Sequence, residues 1–186
     1  VKFSVLLSVY FKEKRENLRL ALKSIYEDQI LKPDEIILVE DGPLSEELYS
    51  EIEYQLDNLK GILKIVKLEK NSGLGNALKE GVLHCNYEWI ARMDTDDVSY
   101  PERFLKQAKF IENNPSIDVL GTFMTEFIDD IDNKVCIKDA PTRNIENYIK
   151  YRDPVNHPSV FLRKLKVIEA GNYQEIFLNE DSYLWA

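Results

Sequence analysis

The stretch EWIARMDTDD, residues 88–97, decides which kind of fold the chain can adopt. Its first part, Glu88–Met93, is predicted to be the fourth strand of the chain. Three carboxylates within four positions follow at once, and they repel one another unless a cation or a proton relieves them: Asp94, Asp96 and Asp97. Hard oxygen ligands of this kind suit Mg²⁺ or Mn²⁺. An acidic surface turn that only caps the next helix is the alternative.

Strands and helices alternate upstream of this stretch. Apolar runs predict strands at Ser4–Val9, Glu35–Val39 and Ile62–Leu68. Apolar residues at helical spacing follow each of them: Leu18, Ala21, Leu22 and Ile25; then Leu48, Ile52 and Leu56 behind the cap Ser45; then the segment Leu74–His84. This alternation predicts an α/β fold, with a mostly parallel central sheet and helices on both faces.

The pattern of alternating strands and helices changes after residue 94. Pro101 opens a helix that runs to about Asn113, and strands are predicted at Ile117–Ile128 and Lys134–Lys138 around an acidic turn, Asp129–Asn133. The second half is therefore predicted to be a mixed α+β elaboration. No linker or repeat interrupts the chain, so residues 1–186 are expected to form a single domain.

Composition excludes several classes of protein. The chain carries 24 Lys and Arg against 33 Asp and Glu, a net charge of −9, which makes nucleic acid an unfavourable partner. Its 44% hydrophobic content is that of a folded protein. Cys85 and Cys136 form no CxxC motif, and both are expected to be small buried residues. No apolar run is long enough to span a membrane, which predicts a cytoplasmic protein and leaves peripheral membrane attachment open.

Ligands of an open α/β sheet bind beyond the carboxyl ends of its strands. In this chain those ends are Val9-Tyr10, Glu40-Asp41, Asn71-Ser-Gly73 and Asp94–Asp97, and most of them carry carboxylates or amides. The glycine-rich segment after Asn71 follows the third strand, so it is not a dinucleotide fingerprint. Its helix N-terminus can face an anion, or its glycines only permit the turn.

Two features of the second half are weaker signals. Glu180 and Asp181 precede an apolar helix, where adjacent carboxylates often only complement the helix dipole. His157 has no second histidine near it in sequence, so it gives no zinc site and is expected to be a hydrogen-bonded structural residue.

Residues 94–98 also share features with two other metal-binding motifs. A calcium loop that begins at Asp94 requires Gly at its sixth position and Glu at its twelfth, where this chain has Ser99 and Leu105. The segment also resembles the DxDx[TV] motif of haloacid-dehalogenase-type phosphatases, with Asp94 and Asp96 as its aspartates. That motif normally ends the first strand of its fold, whereas here it ends the fourth. The phosphatase stays as an alternative.

Taken in order, the motifs resemble those of the family 2 glycosyltransferases, which have the GT-A fold. The resemblance covers nearly the whole chain. It depends on these segments: the first strand Ser4–Tyr10, Val39-Glu-Asp-Gly42 as the counterpart of VDDGS, Asn71-x-Gly-Leu74 with Gly81, Ala91–Asp97 as the DxD region, Pro101-x-Arg-Phe104, and Glu180-Asp181.

The resemblance implies a role for each of these positions. Val9, Tyr10 and Asp41 would line the base and ribose pocket, with Asp41 accepting a hydrogen bond from uracil. Asp94 would lie near the ribose or the sugar, and Thr95 would belong to the same donor site. Asp96 would bind Mn²⁺ or Mg²⁺ there, and Asp181 would be the catalytic base. The remaining expected donor-site residues are Asn71, Gly73 and Lys79, where many relatives have an arginine near position 79. Glu180 and His157 are expected to be accessory.

The implied activity is inverting, metal-dependent sugar transfer from a nucleoside-diphosphate sugar, with UDP as the expected nucleotide. The acceptor would be a glycan or a lipid-linked glycan in polysaccharide synthesis, at the inner face of the cell membrane. Residues 1–97 would bind the donor, and residues 98–186 would form an acceptor side truncated at its C-terminus, so that the chain binds donor but transfers poorly. A nucleotide-binding domain without catalysis is a further alternative.

Overall fold

The apolar runs of the first half are neighbouring strands of one sheet. The structure, a computed structural model, describes residues 1–176 and 179–185. The strands are β1 (Phe3–Val9), β2 (Glu35–Glu40), β3 (Leu63–Lys67), β4 (Trp89–Arg92), β5 (Val119–Leu120), β6 (Met124–Ile128), β7 (Asp130–Lys138) and β8 (Phe161–Arg163). The helices are α1 (Arg15–Ile25), α2 (Glu46–Asn58), α3 (Leu74–His84), α4 (Arg103–Asn113), α5 (Ile145–Tyr148), α6 (Lys164–Glu169) and α7 (Glu180–Trp185), with a 3₁₀ turn at His157–Ser159. Ala186 lies outside the described residues.

The main sheet has six strands in the order β3-β2-β1-β4-β8-β5. β1 pairs in parallel with β2 and β4, and β2 pairs in parallel with β3. β8 runs antiparallel to both β4 and β5. The prediction of a mostly parallel sheet is confirmed, and the second half of the chain adds two strands to the sheet that the first half begins.

Helices pack on both faces of this sheet, as predicted. Phe3, Val5 and Leu7 of β1 face the layer that contains α1, α2 and α4. Leu6 faces the opposite layer, with α3 and α6. Gly81 allows α3 to lie directly on β1, because a Cβ there would come within 2.4 Å of Leu6 Cδ1. Strands buried on both sides read as continuous apolar runs, which is why the sequence revealed them.

The predicted strand Ile117–Ile128 is wrong, because it is two strands in two sheets: β5 belongs to the main sheet, whereas β6 pairs with β7. Between them, Thr122 N donates to Ser159 Oγ at 3.0 Å, and Thr122 O accepts from Asn156 Nδ2 at 3.0 Å. These side chains take the backbone groups that a continuous ladder would use.

The predicted acidic turn Asp129–Asn133 is also wrong. β7 already begins at Asp130, and the chain reverses at Asp129, which has φ 60°. Aspartate tolerates this left-handed conformation better than most residues, so one residue makes the reversal.

Two residues that were predicted to be buried are exposed. Leu56 was expected on the apolar face of α2, but it is exposed, and Glu51 and Gln55 are buried instead. Glu51 is tolerated there because it accepts from Arg15 Nε at 3.1 Å and from Gln55 Nε2 at 2.9 Å. Cys85 is buried as expected, whereas Cys136 is exposed on β7.

Among residues 1–176 and 179–185, no helix combines the length and the apolar character that crossing a bilayer requires.

Candidate active site

A cleft of about 580 Å³ opens at the carboxyl ends of β1, β2 and β4, beside the N-terminus of α3. Seven of the nine predicted donor-site residues line it: Tyr10, Asp41, Asn71, Gly73, Asp94, Thr95 and Asp96. The rule that ligand sites lie beyond the carboxyl ends of parallel strands therefore located the cleft from the sequence.

Asp41 joins the end of β2 to the loop before α3. Its Oδ1 accepts from Ser72 N at 2.7 Å and its Oδ2 from Gly73 N at 3.1 Å, while Asn71 Nδ2 donates to Asp41 O at 3.3 Å. The side chain is only 3% exposed. Since a carboxylate offers about four acceptor positions, Asp41 retains capacity for a further donor from the cleft.

Gly42 makes this junction possible. It has φ +82°, and a Cβ at its position would lie 2.3 Å from Asn71 N. The close approach of the two loops therefore depends on the absence of a side chain.

The end of β1 contributes an aromatic wall to the cleft through Tyr10, which is 43% exposed. Val9, by contrast, was expected to line the same pocket, and that expectation is wrong. Its side chain is fully buried in the core, and its carbonyl already accepts from Asp41 N at 2.8 Å.

The four residues of the acidic loop after β4 face different surroundings. Asp94 pairs with the buried Arg92. Thr95 is buried and donates to Glu13 Oε2 at 2.8 Å, which ties the loop to the segment after β1. Asp96 is exposed to the cleft. Asp97 instead lines a second, mostly apolar cavity of about 610 Å³ that β6 helps to form.

Electrostatics within this loop favour a bound cation. Desolvation by the cleft walls raises the pKa of Asp96, and the charges of Asp94 and Glu13 raise it further. Burial, followed by the charges of Asp94 and Asp96, raises the pKa of Asp97 to about 6. A divalent cation would relieve this repulsion and keep both carboxyl groups ionised.

The side chains fit a metal shared with a substrate. Within residues 1–176 and 179–185, no three His, Cys, Asp or Glu side chains gather closely enough to hold an ion by themselves. Asp94 is already paired with Arg92, so Asp96 is the carboxylate of the acidic loop that is exposed to the cleft. Mg²⁺ and related ions commonly bind through one or two carboxylates together with substrate phosphates.

The segment between β1 and α1 contributes cleft residues that the sequence analysis missed: Lys12, Glu13, Lys14 and Asn17. Glu13 organises this segment, because its Oε1 accepts from Lys14 N at 2.7 Å and from Asn17 Nδ2 at 3.0 Å. The signal was present in the charged run directly after the first predicted strand.

Lys79 was expected to serve the donor site, and the structure does not place it there. It is exposed on α3 and does not line the cleft. Lys79 follows Leu74 by five positions, so the helix has carried it past the end that faces the cleft. The cations that line the cleft are Lys12 and Lys14.

Asp181 lies on α7, which packs against α3. Its Oδ1 accepts from Ser182 N at 2.8 Å, and Ser182 Oγ donates to Asp153 Oδ1 at 2.7 Å. Burial raises the pKa of the Asp181 carboxyl, an effect that Asp153 reinforces and Arg92 opposes. Glu180 lies next to the start of α3, since a Cβ at Gly75 would come within 3.2 Å of Glu180 Cβ. Neither carboxylate lines the cleft itself.

His157 is buried below this region. Its Nε2 lies 2.8 Å from Tyr173 Oη, and its ring centroid lies 6.0 Å from that of Trp185. Burial lowers the pKa of His157 well below its usual value, so the ring is neutral. It does not line the cleft, which agrees with the expectation of a hydrogen-bonded structural histidine.

Comparison with known proteins shows the family to which the chain belongs. The family model described as "Glycosyl transferase family 2" matches residues 4–171. The amylovoran biosynthesis glycosyltransferase AmsE of Erwinia amylovora is 45% identical over 185 residues, covering 98% of this chain and 68% of that protein. An Escherichia coli protein named UDP-Gal:alpha-D-GlcNAc-diphosphoundecaprenol beta-1,3-galactosyltransferase is 38% identical over 185 residues, covering 99% of this chain and 66% of its own length.

Solved structures show the same fold. S. aureus TarS 1-349 in complex with UDP superposes with a TM-score of 0.75 at 22% identity, covering all of this chain and 54% of that one. The mannosyltransferase PcManGT from Pyrobaculum calidifontis, in complex with GDP-Man and Mn²⁺, gives a TM-score of 0.72 at 13% identity, covering 98% of this chain and 50% of that one. The chain thus spans about two thirds of these curated relatives and about half of these solved chains. The chain belongs to glycosyl transferase family 2, and its fold is the GT-A fold of these glycosyltransferases.

Proposed function

We propose that this chain carries the donor site and the catalytic base of an inverting, metal-dependent glycosyltransferase. Its donor is a nucleoside-diphosphate sugar, with UDP as the nucleotide, and its acceptor is a hydroxyl of a glycan or lipid-linked glycan in polysaccharide synthesis. One observation carries the proposal: Tyr10, Asp41, the start of α3 and Asp96 meet in a single cleft. The family assignment leaves no basis for the phosphatase alternative.

The cleft offers a matching group for each part of such a donor. The exposed Tyr10 ring provides a stacking surface for the nucleobase, and Asp41 can accept one hydrogen bond from the nucleobase. Lys12 and Lys14 provide positive charge for a diphosphate. Asp96 would hold Mn²⁺ or Mg²⁺ together with the diphosphate oxygens, and the bound ion would neutralise charge on the leaving nucleoside diphosphate.

Relatives support the choice of nucleotide and acceptor. One curated relative is named for a UDP-galactose donor and a diphosphoundecaprenol-linked acceptor, and S. aureus TarS has been solved with UDP and with UDP-GlcNAc. An acceptor of that kind sits in a membrane, so we propose that the whole protein acts at the inner membrane face.

In the proposed reaction Asp181 is the base. It accepts the proton of the acceptor hydroxyl, whose oxygen attacks the anomeric carbon while the bond to the nucleoside diphosphate breaks. Attack from the face opposite the leaving group inverts the anomeric centre. The raised pKa of Asp181 suits this role, because a base with a pKa closer to the working pH takes up the proton more readily.

A thermal-shift titration with UDP, GDP, TDP and CMP, each with Mn²⁺ or with EDTA, tests the proposal. UDP at 100 times its dissociation constant should stabilise the chain by about 2.7 kcal/mol, which is a shift of roughly 5–10 °C at this size. The shift should require Mn²⁺ and should disappear in Asp96→Ala, while Asp57→Ala on the exposed side of α2 keeps it. Absence of a shift with every nucleotide would overturn the proposal, and a shift that Asp96→Ala retains would overturn the metal assignment.

A further inference from the structure

Arg92 lies at the end of the central strand β4, and its guanidinium group is buried. Alternate residues of a strand face the same side, so Arg92 shares the side of Ile90, which packs in the apolar layer with Val160 and Tyr173. Only 1% of Arg92 is exposed. A buried charge is unfavourable unless good partners compensate its lost hydration.

The guanidinium has few partners. Its Nη1 donates to Met93 O and its Nη2 donates to Asp94 Oδ1. Within the described residues, Arg92 Nε is buried without a hydrogen-bond partner. Arg92 is therefore directed at one carboxylate, Asp94, which lies on the wall of the donor cleft.

A second arginine holds the strand end on which this pair is built. Arg103 Nη2 donates to Arg92 O at 2.7 Å, and Arg103 Nη1 contacts Met93 Sδ at 3.3 Å. Arg103 is itself fixed by Gln107 Oε1 at 3.1 Å, and Gln107 Nε2 donates to Ser159 O at 2.9 Å. Arg103 thus constrains the Arg92-Met93 segment that leads to Asp94.

The charge of Arg92 also reaches α7. Burial raises the pKa of Asp181 and of Tyr173, and the positive charge of Arg92 opposes this rise in both. The positive charge of Arg92 therefore acts on Asp181 and on Tyr173.

We propose that Arg92 is a positioning residue, which holds the Asp94 carboxylate in the orientation that meets the donor and thereby leaves Asp96 as the carboxylate for the cation. The inference rests on the proposed function of the cleft. An apolar residue of similar volume would fill the layer without burying a charge, so stability alone gives no reason for an arginine here.

A double-mutant cycle on the whole chain tests the inference. The dissociation constant of UDP with Mn²⁺ is measured calorimetrically for the native chain, Arg92→Lys, Asp94→Asn and the double variant. A lost hydrogen bond to a charged group predicts about tenfold weaker binding for each single variant. If Arg92 acts through Asp94, the double variant is also only about tenfold weaker, whereas independent effects would multiply to about a hundredfold.

Arg163→Lys is the matched control. Arg163, on the neighbouring strand β8, also makes several hydrogen bonds and ion pairs, but to Glu88 and Asp118 outside the cleft. It should lower the melting temperature without changing the dissociation constant. If Arg92→Lys does not fold, Arg92→Gln enters the same cycle, because it removes the charge and keeps a polar group beside Met93 O.

The outcomes separate the inference from the proposed function. Native-level binding in the Arg92 or Asp94 variants, or additive effects in the cycle, overturns the role of Arg92 while the native chain still binds UDP. A native chain that does not bind UDP overturns both.

Discussion

The carboxylates of the site differ because their surroundings differ. Asp41 is held by backbone N–H groups, Asp94 by an arginine, and Asp96 faces the cleft. Asp181 lies apart from them on α7, where burial raises the pKa of its carboxyl. Four aspartates, which differ only in their position in the chain, therefore take separate roles in the proposed reaction.

At the residue scale, Asp181→Asn separates binding from transfer. The variant should lower the rate at which UDP is released from UDP-sugars in the presence of acceptor by ~10²–10⁴-fold, and it should bind UDP like the native chain. Glu169→Gln, on the exposed surface of α6, should change neither quantity. Weaker UDP binding in Asp181→Asn would instead place Asp181 in the donor site.

The pH dependence of transfer follows from the same residue. The base works only when it is deprotonated, and burial raises the pKa of Asp181 above that of an ordinary aspartate. The rate should therefore fall as the pH decreases through this raised pKa, at a higher pH than an exposed aspartate would give. A rate profile whose acid limb lies at the pKa of an ordinary aspartate would contradict the assignment.

At the element scale, Gly42 and Gly61 form a matched pair for testing the junction between β2 and α3. Both have a positive φ, +82° and +80°, but a Cβ at Gly42 would collide with Asn71 N, whereas a Cβ at Gly61 meets nothing within 4 Å. Each change to alanine should destabilise by the roughly 1–2 kcal/mol of a left-handed alanine. Gly42→Ala should destabilise further and also weaken UDP binding, because it displaces the loop that Asp41 holds.

Urea unfolding and UDP titration with Mn²⁺ measure the two effects. Equal losses of stability with unchanged binding in both variants would show that the 71–73 loop does not depend on this close approach.

Glu35 links four segments at the opposite end of the sheet. Its carboxylate accepts from Ser4 Oγ at 2.6 Å, from Asn86 N at 2.5 Å and Nδ2 at 2.8 Å, and from Lys64 Nζ at 2.7 Å. Burial raises the pKa of Glu35, but the N–H of Asn86, Lys64 and the other donors outweigh it and lower the pKa to about 2.

A lowered pKa in the folded state means that this stabilisation is present above the unfolded pKa and is lost as the pH falls towards about 2. Glu35→Gln should therefore lower the free energy of unfolding by about 2 kcal/mol near neutral pH. The difference from the native chain should shrink as the pH falls from about 5 to about 2. The exposed Glu53→Gln is the control, and a difference that stays constant over this range would contradict the account.

At the scale of the whole molecule, the sequence was most informative where the signal is local. Strands buried on both faces appear as apolar runs, and the order of strands and helices then places the ends of β1, β2 and β4 at one edge. That is why seven of the nine expected donor residues line one cleft.

The remaining features depend on contacts between distant parts of the chain. The strand break at Thr122 is made by Asn156 and Ser159, more than thirty positions away. Lys79 does not line the cleft because it lies too far along α3. Glu13 was missed because a charged residue after a strand is also typical of an ordinary solvent-exposed surface. The burial of Arg92 was not foreseen, since its apolar layer is assembled from β4, α3 and residues near Tyr173.

We propose that one cleft binds the nucleoside diphosphate of the donor, with the nucleobase at Asp41 and the diphosphate at Asp96. A crystal structure of the chain with UDP and Mn²⁺ tests it most directly. We expect uracil against Tyr10 within hydrogen-bond distance of Asp41, and Mn²⁺ bound by Asp96 and the diphosphate oxygens. UDP bound elsewhere, or Mn²⁺ bound without Asp96, would contradict it.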